Sequence, residues 1–435
     1  MERDLLKKLV AWKESEQRKP LLLDGARQVG KTWLVHEFGK RHFANYVYFS
    51  LENNADIRAL FEGDINPERI IAALGVYANT TITTDTLIIF DEVQEVPRAL
   101  TALKYFCEDA PEYPVVATGS SLGITLHPGT SFPVGKVDFL HLYPLTFCEF
   151  LNACGQSGLA DRLSGDDVAT LSDTHSSYME WLRYYLYVGG MPEVVAAFVQ
   201  DYPSVNFERV RGIQETILTS YRDDFSKYSR ATVSSLRVAQ LWDSVPAQLA
   251  KENKKFLYGA VRSGGRGRDY EIAIQWLRDM SLIHTVTRVK AMSLPLKIYE
   301  ETQHFKIYLG DVGLLGALTG LSPHSFLDER ATFSQFHGAL AEQFVCQELK
   351  ASGVDALYYW SAENSTGEID FVMGRDGTVC LIEVKSGENL QSKSLKAALK
   401  REKSAQGYRL SALPYKHDGA IVDMPIYATS RLATC

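Results

Sequence analysis

The sequence predicts an α/β protein that carries one sheet near each end of the chain and a helical segment between them. Short apolar runs alternate with helical periodicity in the first part, which is typical of a parallel sheet covered by helices on both faces. Helical periodicity alone follows, and alternating strands return later in the chain. We expect four segments, namely a first α/β core at 1–150, a helical lid at 151–230, a helix-and-hairpin region at 231–317 and a second α/β domain at 318–435.

The composition is that of a globular protein with a sizeable core, since 46% of the 435 residues are hydrophobic and 23% are charged. No uncharged apolar run approaches the roughly 18 residues of a membrane helix, so we expect no membrane association. A net charge of −7 argues against a protein that coats nucleic acid with its whole surface, but it leaves local basic grooves possible. The six cysteines form no C-x-x-C pair, which indicates free thiols and a cytoplasmic location. The N-terminal residues predict an amphipathic helix and not a signal peptide.

A phosphate-binding loop follows the first predicted strand. Leu21–Leu23 form an apolar strand, the next segment reads GARQVGKT, and a helical segment runs from Thr32 to Phe38. This matches G-x-x-x-x-G-K-[ST] in its strand–loop–helix context, where backbone N–H groups hold a β-phosphate. Lys31 then reaches the β/γ-phosphate oxygens, and Thr32 supplies a hydroxyl for Mg²⁺. The residues expected to bind nucleotide are Gly25, Ala26, Arg27, Gln28, Val29, Gly30, Lys31 and Thr32.

A second motif indicates hydrolysis as well as binding. Leu87–Phe90 predict a buried strand that ends in Asp91 and Glu92. In a nucleotide hydrolase an Asp at this place holds Mg²⁺ through water, and the neighbouring Glu polarises the attacking water. The alternative is a strand that ends in two solvated acids, which the upstream loop disfavours.

Two further strands complete the expected parallel sheet. Tyr46–Phe49 follow the first helix of the core, and the strand at 114–120 follows another helix. This last strand ends in Thr118 and Ser120, which we expect beside the γ-phosphate as groups that sense it and position water. The alternative is a turn built from small polar residues.

The segments GARQVGKT, FDEVQ and ATGSS resemble the AAA+ ATPases, and within them a bacterial and archaeal branch with a long C-terminal extension. The segment around Lys136 and the following YPLTFCEF also resemble that branch. The resemblance implies ATP as ligand, Mg²⁺ as its metal and a homo-oligomer, with a hexameric ring as one form. AAA+ enzymes usually complete their site with an arginine from the next subunit, for which Arg98 and Arg183 are candidates.

The middle of the chain predicts helices and then a winged helix. Apolar positions near 236–242 and 272–277 suit two helices, and those at 282–286 and 305–309 suit the two strands of a wing. Basic residues between the two helices suit phosphate contacts, as in many helix-turn-helix units. These residues are Lys251, Lys254, Lys255, Arg262, Arg266 and Arg268. A solvated loop is the alternative.

The C-terminal segment predicts a helix and then a hairpin, which together present three acids and a lysine. The helix bears Glu342, the first strand of the hairpin contains Asp370, and the returning strand contains Glu383 and Lys385. Glu383 and Lys385 are two residues apart, so they face the same side of the strand, and Asp370 meets them across the hairpin. Two carboxylates this close repel unless a cation joins them, and a hard divalent cation, Mg²⁺ or Mn²⁺, is suited to that place.

This layout resembles the PD-(D/E)xK nuclease superfamily. The resemblance implies a catalytic set of Glu342, Asp370, Glu383 and Lys385, with the three acids as metal ligands and the lysine orienting or activating water. The alternative is a retained fold that no longer cuts. The expected architecture is then an N-terminal P-loop AAA+ parallel sheet, a helical lid and winged-helix middle, and a C-terminal α/β nuclease-like domain.

We therefore expect an ATP-hydrolysing AAA+ protein coupled to a metal-dependent endonuclease that acts on nucleic acid, with DNA favoured over RNA. One alternative is a nucleotide-gated switch whose C-terminal domain only binds nucleic acid or a protein. Another is an ATPase that remodels proteins. The sequence leaves open the strandedness of the nucleic acid, the ring size and the identity of the arginine finger.

Overall fold

The computed structural model describes residues 1–120, 133–165, 167–227, 234–251, 254–323, 334–362, 367–386 and 391–434. The chain divides into two compact units. The N-terminal unit comprises residues 2–143 with 279–281, and the C-terminal unit comprises residues 144–278 and 282–435 with Met1.

The N-terminal unit contains a parallel sheet in the order β2-β3-β4-β1-β5. Its strands are β1 (Leu21–Asp24), β2 (Asn45–Ser50), β3 (Thr86–Asp91), β4 (Val115–Thr118) and β5 (Asp138–His141). Its helices are α1 (Leu5–Glu14), α2 (Lys31–His42), α3 (Ala55–Glu62), α4 (Pro67–Tyr77) and α5 (Pro97–Asp109). Strands β3 and β4 are buried along their whole length, which explains why their sequences are nearly continuous apolar runs. The predicted N-terminal parallel sheet is confirmed.

The C-terminal unit begins with helices. They are α6 (Phe147–Ala153), α7 (Ser157–Ser164), α8 (His175–Val188), α9 (Pro192–Asp201), α10 (Phe207–Lys227), α11 (Ser235–Leu249), α12 (Tyr258–Val261) and α13 (Gly267–Asp279). Later in the chain come α14 (Val312–Leu318), α15 (Ser334–Ala351), α16 (Lys393–Arg401) and α17 (Arg431–Thr434). Among the described residues, no helix combines the length and the apolar character that a membrane crossing needs.

The strands of the C-terminal unit form one mixed sheet in the order β12-β13-β11-β10-β9-β8-β6-β7. They are β6 (Ile283–Val289), β7 (Glu300–Leu309), β8 (Tyr358–Ser361), β9 (Glu368–Arg375), β10 (Thr378–Val384), β11 (Gln406–Ser411), β12 (Lys416–Asp418) and β13 (Ile421–Pro425). The predicted hairpin is confirmed as β9 and β10, which pair antiparallel around Asp376 and Gly377. Both turn residues have positive φ, +47° and +75°, as an Asp-Gly type I′ turn requires.

The two strands expected in a wing belong to this same sheet. β6 pairs antiparallel with β7 on one side and parallel with β8 on the other. The sheet therefore crosses the boundary that we expected at residue 318. The apolar sequences of β6 and β7 do not predict the pairing of β6 with β8, because pairing between strands that are far apart in sequence leaves no local signal.

Helix α15 holds the C-terminal unit together through buried polar side chains. Gln343 bonds both the N–H (2.8 Å) and the carbonyl (2.7 Å) of Leu309, and Gln347 Oε1 accepts from Val312 N at 2.9 Å. Glu348 Oε1 accepts from Phe147 N at 2.9 Å, and burial raises the pKa of Glu348 to about 8. These bonds satisfy backbone groups that would otherwise be buried without a partner.

Candidate functional site

The phosphate-binding loop has the backbone geometry that its glycines predict. Gly25 has φ +150°, and a Cβ at this position would lie 2.3 Å from the carbonyl oxygen of Leu142. Gly30, with φ +95°, occupies the N-cap of α2, and Gln28 also takes a left-handed φ of +65°. Such a turn brings the first N–H groups of α2 toward the loop, which suits an anion at the helix N-terminus.

Lys31 is buried inside the loop. Its Nζ donates to the carbonyl oxygens of Gly25 at 2.7 Å and Ala26 at 2.9 Å. Burial lowers the pKa of Lys31, while the charges of Glu92 and other nearby acids act in the opposite direction. An anionic partner would stabilise a desolvated ammonium in this place through charge-assisted hydrogen bonds, so the geometry suits the phosphates of a nucleotide.

Asp91 is the point at which three elements of the N-terminal unit meet. Its Oδ2 accepts from Thr32 Oγ1 at 3.0 Å and from the Tyr48 hydroxyl at 2.5 Å. Its Oδ1 accepts from the Thr118 hydroxyl. The oxygens of Thr32 and Asp91 lie together at the end of β3, and hard oxygen donors of this kind suit Mg²⁺. The residues present therefore fit the metal that a bound nucleoside triphosphate brings with it.

Glu92 lies beside this cluster in a left-handed conformation with φ +54°. Its Oε2 accepts from Ser120 Oγ at 3.2 Å and from the side-chain amide of Gln94. A left-handed backbone at a residue other than glycine is uncommon and is typical of functional positions. The structure thus brings the predicted residues Thr32, Asp91, Glu92, Thr118 and Ser120 into one site.

Two of the predicted acids of the C-terminal unit, Glu342 and Asp370, lie close to a lysine. The Lys306 side chain is wholly buried on β7, and its ammonium pairs with Glu368. The same ammonium lies 3.8 Å from Glu342 Oε2 and 3.9 Å from Asp370 Oδ1, and 5.0 Å from the centre of the Tyr359 ring. Burial lowers the pKa of Lys306, but the three acids outweigh this effect and raise it above the usual value.

The Glu342 carboxylate has two further partners in the protein. Lys254 Nζ lies 2.5 Å from Glu342 Oε1, and the Tyr308 hydroxyl donates to Glu342 Oε2 at 3.1 Å. Although burial raises the pKa of Glu342, Lys254 and Lys306 hold it below its usual range. These contacts place a neutralising lysine on either side of the Glu342 carboxylate.

Asp370 and Glu383 occupy neighbouring strands but have different environments. Asp370 Oδ2 accepts from Val384 N at 2.8 Å, and burial together with Glu342 raises the pKa of Asp370 to about 7. Glu383 Oε1 lies 2.7 Å from Lys385 Nζ, while Glu383 Oε2 is buried without a hydrogen-bond partner. The lysine predicted to activate water is therefore paired with the acid predicted to bind metal.

This arrangement does not fit a divalent cation. Glu342, Glu368 and Asp370 lie around the Lys306 ammonium, and Lys254 also contacts Glu342. Glu383 pairs with Lys385. In the part of the chain that the structure describes, no group of three or more His, Cys, Asp or Glu side chains is arranged to hold a metal ion. The charge compensation that we expected from Mg²⁺ or Mn²⁺ comes from lysine.

Comparison with known proteins agrees with the geometry of the N-terminal site. A family model described as an AAA domain matches residues 17–151. The N-terminal unit therefore contains a P-loop ATPase domain of the AAA type. Two further family models, both described as domains of unknown function (DUF8612 and DUF4143), match residues 179–325 and 337–422 of this ATPase. No curated protein matches its sequence.

Several solved structures are similar to the chain at low identity. A Walker-type ATPase of Pyrococcus abyssi is 13% identical, with a TM-score of 0.46 over 73% of this chain and 95% of that one. The Aeropyrum pernix Orc1 protein in complex with DNA is 16% identical, with a TM-score of 0.28 over 73% and 90%. A signal-transduction ATPase of Pyrococcus horikoshii with a tetratricopeptide repeat sensor is 11% identical, with a TM-score of 0.28 over 81% and 45%.

The basic residues expected to grip phosphates do not form one surface on the ATPase. Lys254 is withdrawn into the acid cluster, with only 11% of its side chain exposed, so it is a partner of Glu342 and not a phosphate contact. Arg262, Arg266 and Arg268 are exposed around the start of α13, whereas Lys251 and Lys255 are half-buried. The arginine-finger candidate Arg98 donates to the carbonyls of Phe61 (2.5 Å) and Gly63 (2.7 Å) of its own unit.

Sequence reasoning missed three residues of these sites. Tyr48 gave no signal because tyrosine is common in strands, and only the sheet places its hydroxyl on Asp91. Lys306 did give a signal in the sequence, since it interrupts the apolar strand Phe-Lys-Ile-Tyr-Leu. A lysine at a buried strand position requires an acidic partner. Glu368 precedes Asp370 by two residues, so the same-face rule that paired Glu383 with Lys385 also predicts its position.

Proposed function

We propose that this ATPase is a nucleotide-driven switch in which Mg·ATP binding and hydrolysis govern how the C-terminal unit binds nucleic acid, which it does not cut. The reaction of the N-terminal unit follows from its residues. The loop N–H groups and Lys31 would bind the phosphates, and Thr32 and Asp91 would hold a magnesium ion, which would supply charge neutralisation there. Once the Glu92 carboxylate is free of its hydrogen bonds from Ser120 and Gln94, it accepts a proton from the attacking water. Thr118 keeps Asp91 oriented.

A single observation carries the non-cutting part of the proposal. The Lys306 ammonium lies within 4 Å of Glu342 and Asp370 and pairs with Glu368, among the carboxylates from which a nuclease would need to bind a divalent cation. A buried ammonium with three acidic partners is costly to displace, because its removal leaves uncompensated buried carboxylates. The position of Lys306 therefore favours a C-terminal unit that binds its ligand without cutting it.

The three arginines around the start of α13 support nucleic acid as the ligand. Arg262, Arg266 and Arg268 are exposed within seven residues of one another, and Gly264, with φ +77°, shapes the loop between them. Arginine suits phosphates because its guanidinium forms paired hydrogen bonds. Binding that rests on such contacts weakens steeply with salt and depends little on sequence.

The test combines binding and cleavage on the same preparations. Full-length protein is mixed with labelled DNA and RNA, single- and double-stranded, with Mg²⁺ or Mn²⁺ and with ATP, ADP or a non-hydrolysable ATP analogue. We expect nucleotide-dependent affinity, no cleavage, and weaker binding after Arg262, Arg266 and Arg268 are changed to alanine. A matched control changes the exposed bases Lys396, Lys400 and Arg401 of α16 to alanine. Affinity that is the same with ATP and ADP contradicts the switch.

Metal-dependent cleavage is the second candidate function, and the unpartnered buried oxygen of Glu383 favours it. Cutting by the wild-type protein that is lost in Lys385→Ala, with ATP turnover unchanged, supports this candidate. The same result rules out the non-cutting switch. Cutting that persists in Lys385→Ala and Glu383→Gln identifies a contaminating nuclease.

A further inference from the structure

A cavity at the far edge of the C-terminal sheet carries chemistry that the proposed switch does not use. Its volume is about 390 Å³, within the range of small-molecule sites, and strands β11, β12 and β13 contribute to its walls. Arg375, which also lines it, lies at the opposite end of β9 from Asp370, about 17 Å away along the strand at ~3.4 Å per residue. The cavity is therefore separate from the acid cluster.

Two guanidinium groups and an imidazole line the cavity. Arg375 donates to the Leu432 carbonyl at 3.0 Å and to the Tyr408 hydroxyl at 2.8 Å, and it lies 5.6 Å from the centre of the Tyr408 ring. These hydrogen bonds fix the orientation of the Arg375 guanidinium in the cavity wall. His417 is exposed at the rim of the same cavity.

Arg431 gives the second, independent observation. Only 8% of this residue is exposed, and its Nη1 donates to the Ser164 carbonyl at 2.8 Å. Its Nε is buried without a hydrogen-bond partner. A buried guanidinium beside a cavity is costly unless an anion compensates its charge. The acid on the wall, Asp167, is exposed and accepts from Ala169 N at 2.9 Å.

The remainder of the lining suits a flat organic group. Val422 and Met424 are buried apolar residues of β13, and the Tyr415 ring is half-buried beside them. Aromatic and apolar side chains of this kind bind a nucleobase by stacking and contact. An inorganic anion would use the arginines but not this surface.

We propose that this cavity binds a mononucleotide, with its phosphate on Arg375 and Arg431 and its base against Tyr415. The ligand is thus a second nucleotide, distinct from the ATP of the phosphate-binding loop. Arginine pairs satisfy a phosphate through several N–H groups at once.

The test removes the first nucleotide site before the second is measured. Full-length Lys31→Ala protein is titrated calorimetrically with AMP, GMP, CMP, UMP, ribose 5-phosphate and inorganic phosphate. We expect at least one nucleotide to bind about tenfold more tightly than inorganic phosphate, which corresponds to ~1.4 kcal/mol. Ribose 5-phosphate should fall between the two, because it lacks the base. Nucleotides that bind no better than inorganic phosphate overturn the proposal.

Variants of the wall separate this site from residual binding in the loop. Arg375→Gln should reduce nucleotide affinity at least about tenfold, since it removes a charge-assisted contact. Because Arg375 also bonds within the protein, His417→Glu serves as a second variant that adds a negative charge at an exposed position, and it should weaken binding without lowering the melting temperature. Arg401→Gln, on exposed α16, should bind as the parent does. Equal affinity in all three variants overturns the proposal.

Discussion

Thr32 and Asp91 are 59 residues apart in sequence, yet the threonine hydroxyl donates to the aspartate carboxylate at 3.0 Å. Thr32 lies in the first turn of the helix that follows β1, and Asp91 ends β3. Parallel strands bring their carboxyl ends to one edge of the sheet, so motifs that are distant in sequence converge there. This pair anchors the nucleotide site, and the first two predictions follow from it.

Replacing Lys31 with alanine should weaken ATP binding by about 10- to 100-fold. A charge-assisted hydrogen bond contributes roughly 1.5–3 kcal/mol, and Lys31 supplies the buried ammonium of the loop. Fluorescent-nucleotide titration measures the effect directly. Lys40→Ala is the matched control, because Lys40 is an exposed lysine on the same helix and should bind ATP normally. Equal losses in both variants would show that the effect is not specific to the loop.

Replacing Tyr48 with phenylalanine should lower the Mg²⁺ concentration that half-saturates ATP turnover, by a few-fold. The Tyr48 hydroxyl donates to the same Asp91 oxygen as Thr32, so it competes with a metal for that oxygen. Burial, together with Asp91, raises the pKa of Tyr48, which keeps the phenol a donor. Mg²⁺-dependent nucleotide binding, measured without turnover, should shift in the same direction.

Tyr46→Phe provides the control for that measurement. Tyr46 lies on the same strand, but its hydroxyl contacts His36 Nδ1 at 3.3 Å and not Asp91. Its Mg²⁺ requirement should be unchanged. A higher requirement in Tyr48→Phe would mean that the phenol orients Asp91 and does not compete for it.

Replacing Lys306 with methionine should destabilise the C-terminal unit by about 3–5 kcal/mol, because it leaves the buried Glu342 and the partly buried Asp370 and Glu368 without their shared cation. Differential scanning calorimetry should show a lower transition for this unit, while ATP binding persists. Adding Asp370→Asn should recover part of the loss. Lys290→Met removes a lysine that is 69% exposed and should cost less than ~1 kcal/mol. A Lys306→Met protein as stable as wild type would refute the structural role of the ammonium.

Replacing Glu348 with glutamine should stabilise the protein at alkaline pH. Burial raises the pKa of Glu348 from 4.5 to about 8, so the folded state holds a proton that the unfolded state has released. The associated stability is complete below about pH 4.5 and is lost as the pH rises through 8. Glutamine keeps the acceptor for Phe147 N and carries no charge, so the advantage over wild type should grow across this window to roughly 1–3 kcal/mol.

Melting temperatures measured from pH 5 to pH 9 would check this expectation. Glu271→Gln changes an exposed glutamate on α13 and should show no such trend. An advantage of Glu348→Gln that shrinks as the pH rises would contradict the assigned direction. A constant advantage would show that packing, and not ionisation, is responsible.

The sequence by itself determined the nucleotide site and most of the strands. The residues of the phosphate-binding loop are contiguous, and Asp91 and Glu92 directly end an apolar strand, so local pattern and backbone geometry are enough to identify them. The hairpin of β9 and β10 was likewise predictable, since Asp376 and Gly377 favour the left-handed turn that joins those strands.

Only the tertiary structure decided what the C-terminal acids do. Lys306 lies 36 residues before Glu342 and 64 before Asp370 in the chain, and no periodicity links them. Their meeting depends on β7 joining the sheet of β9 through β6 and β8, and on α15 packing Glu342 against it. The sequence pattern identifies the charged residues. Whether a carboxylate faces a metal or a lysine depends on which strands become neighbours.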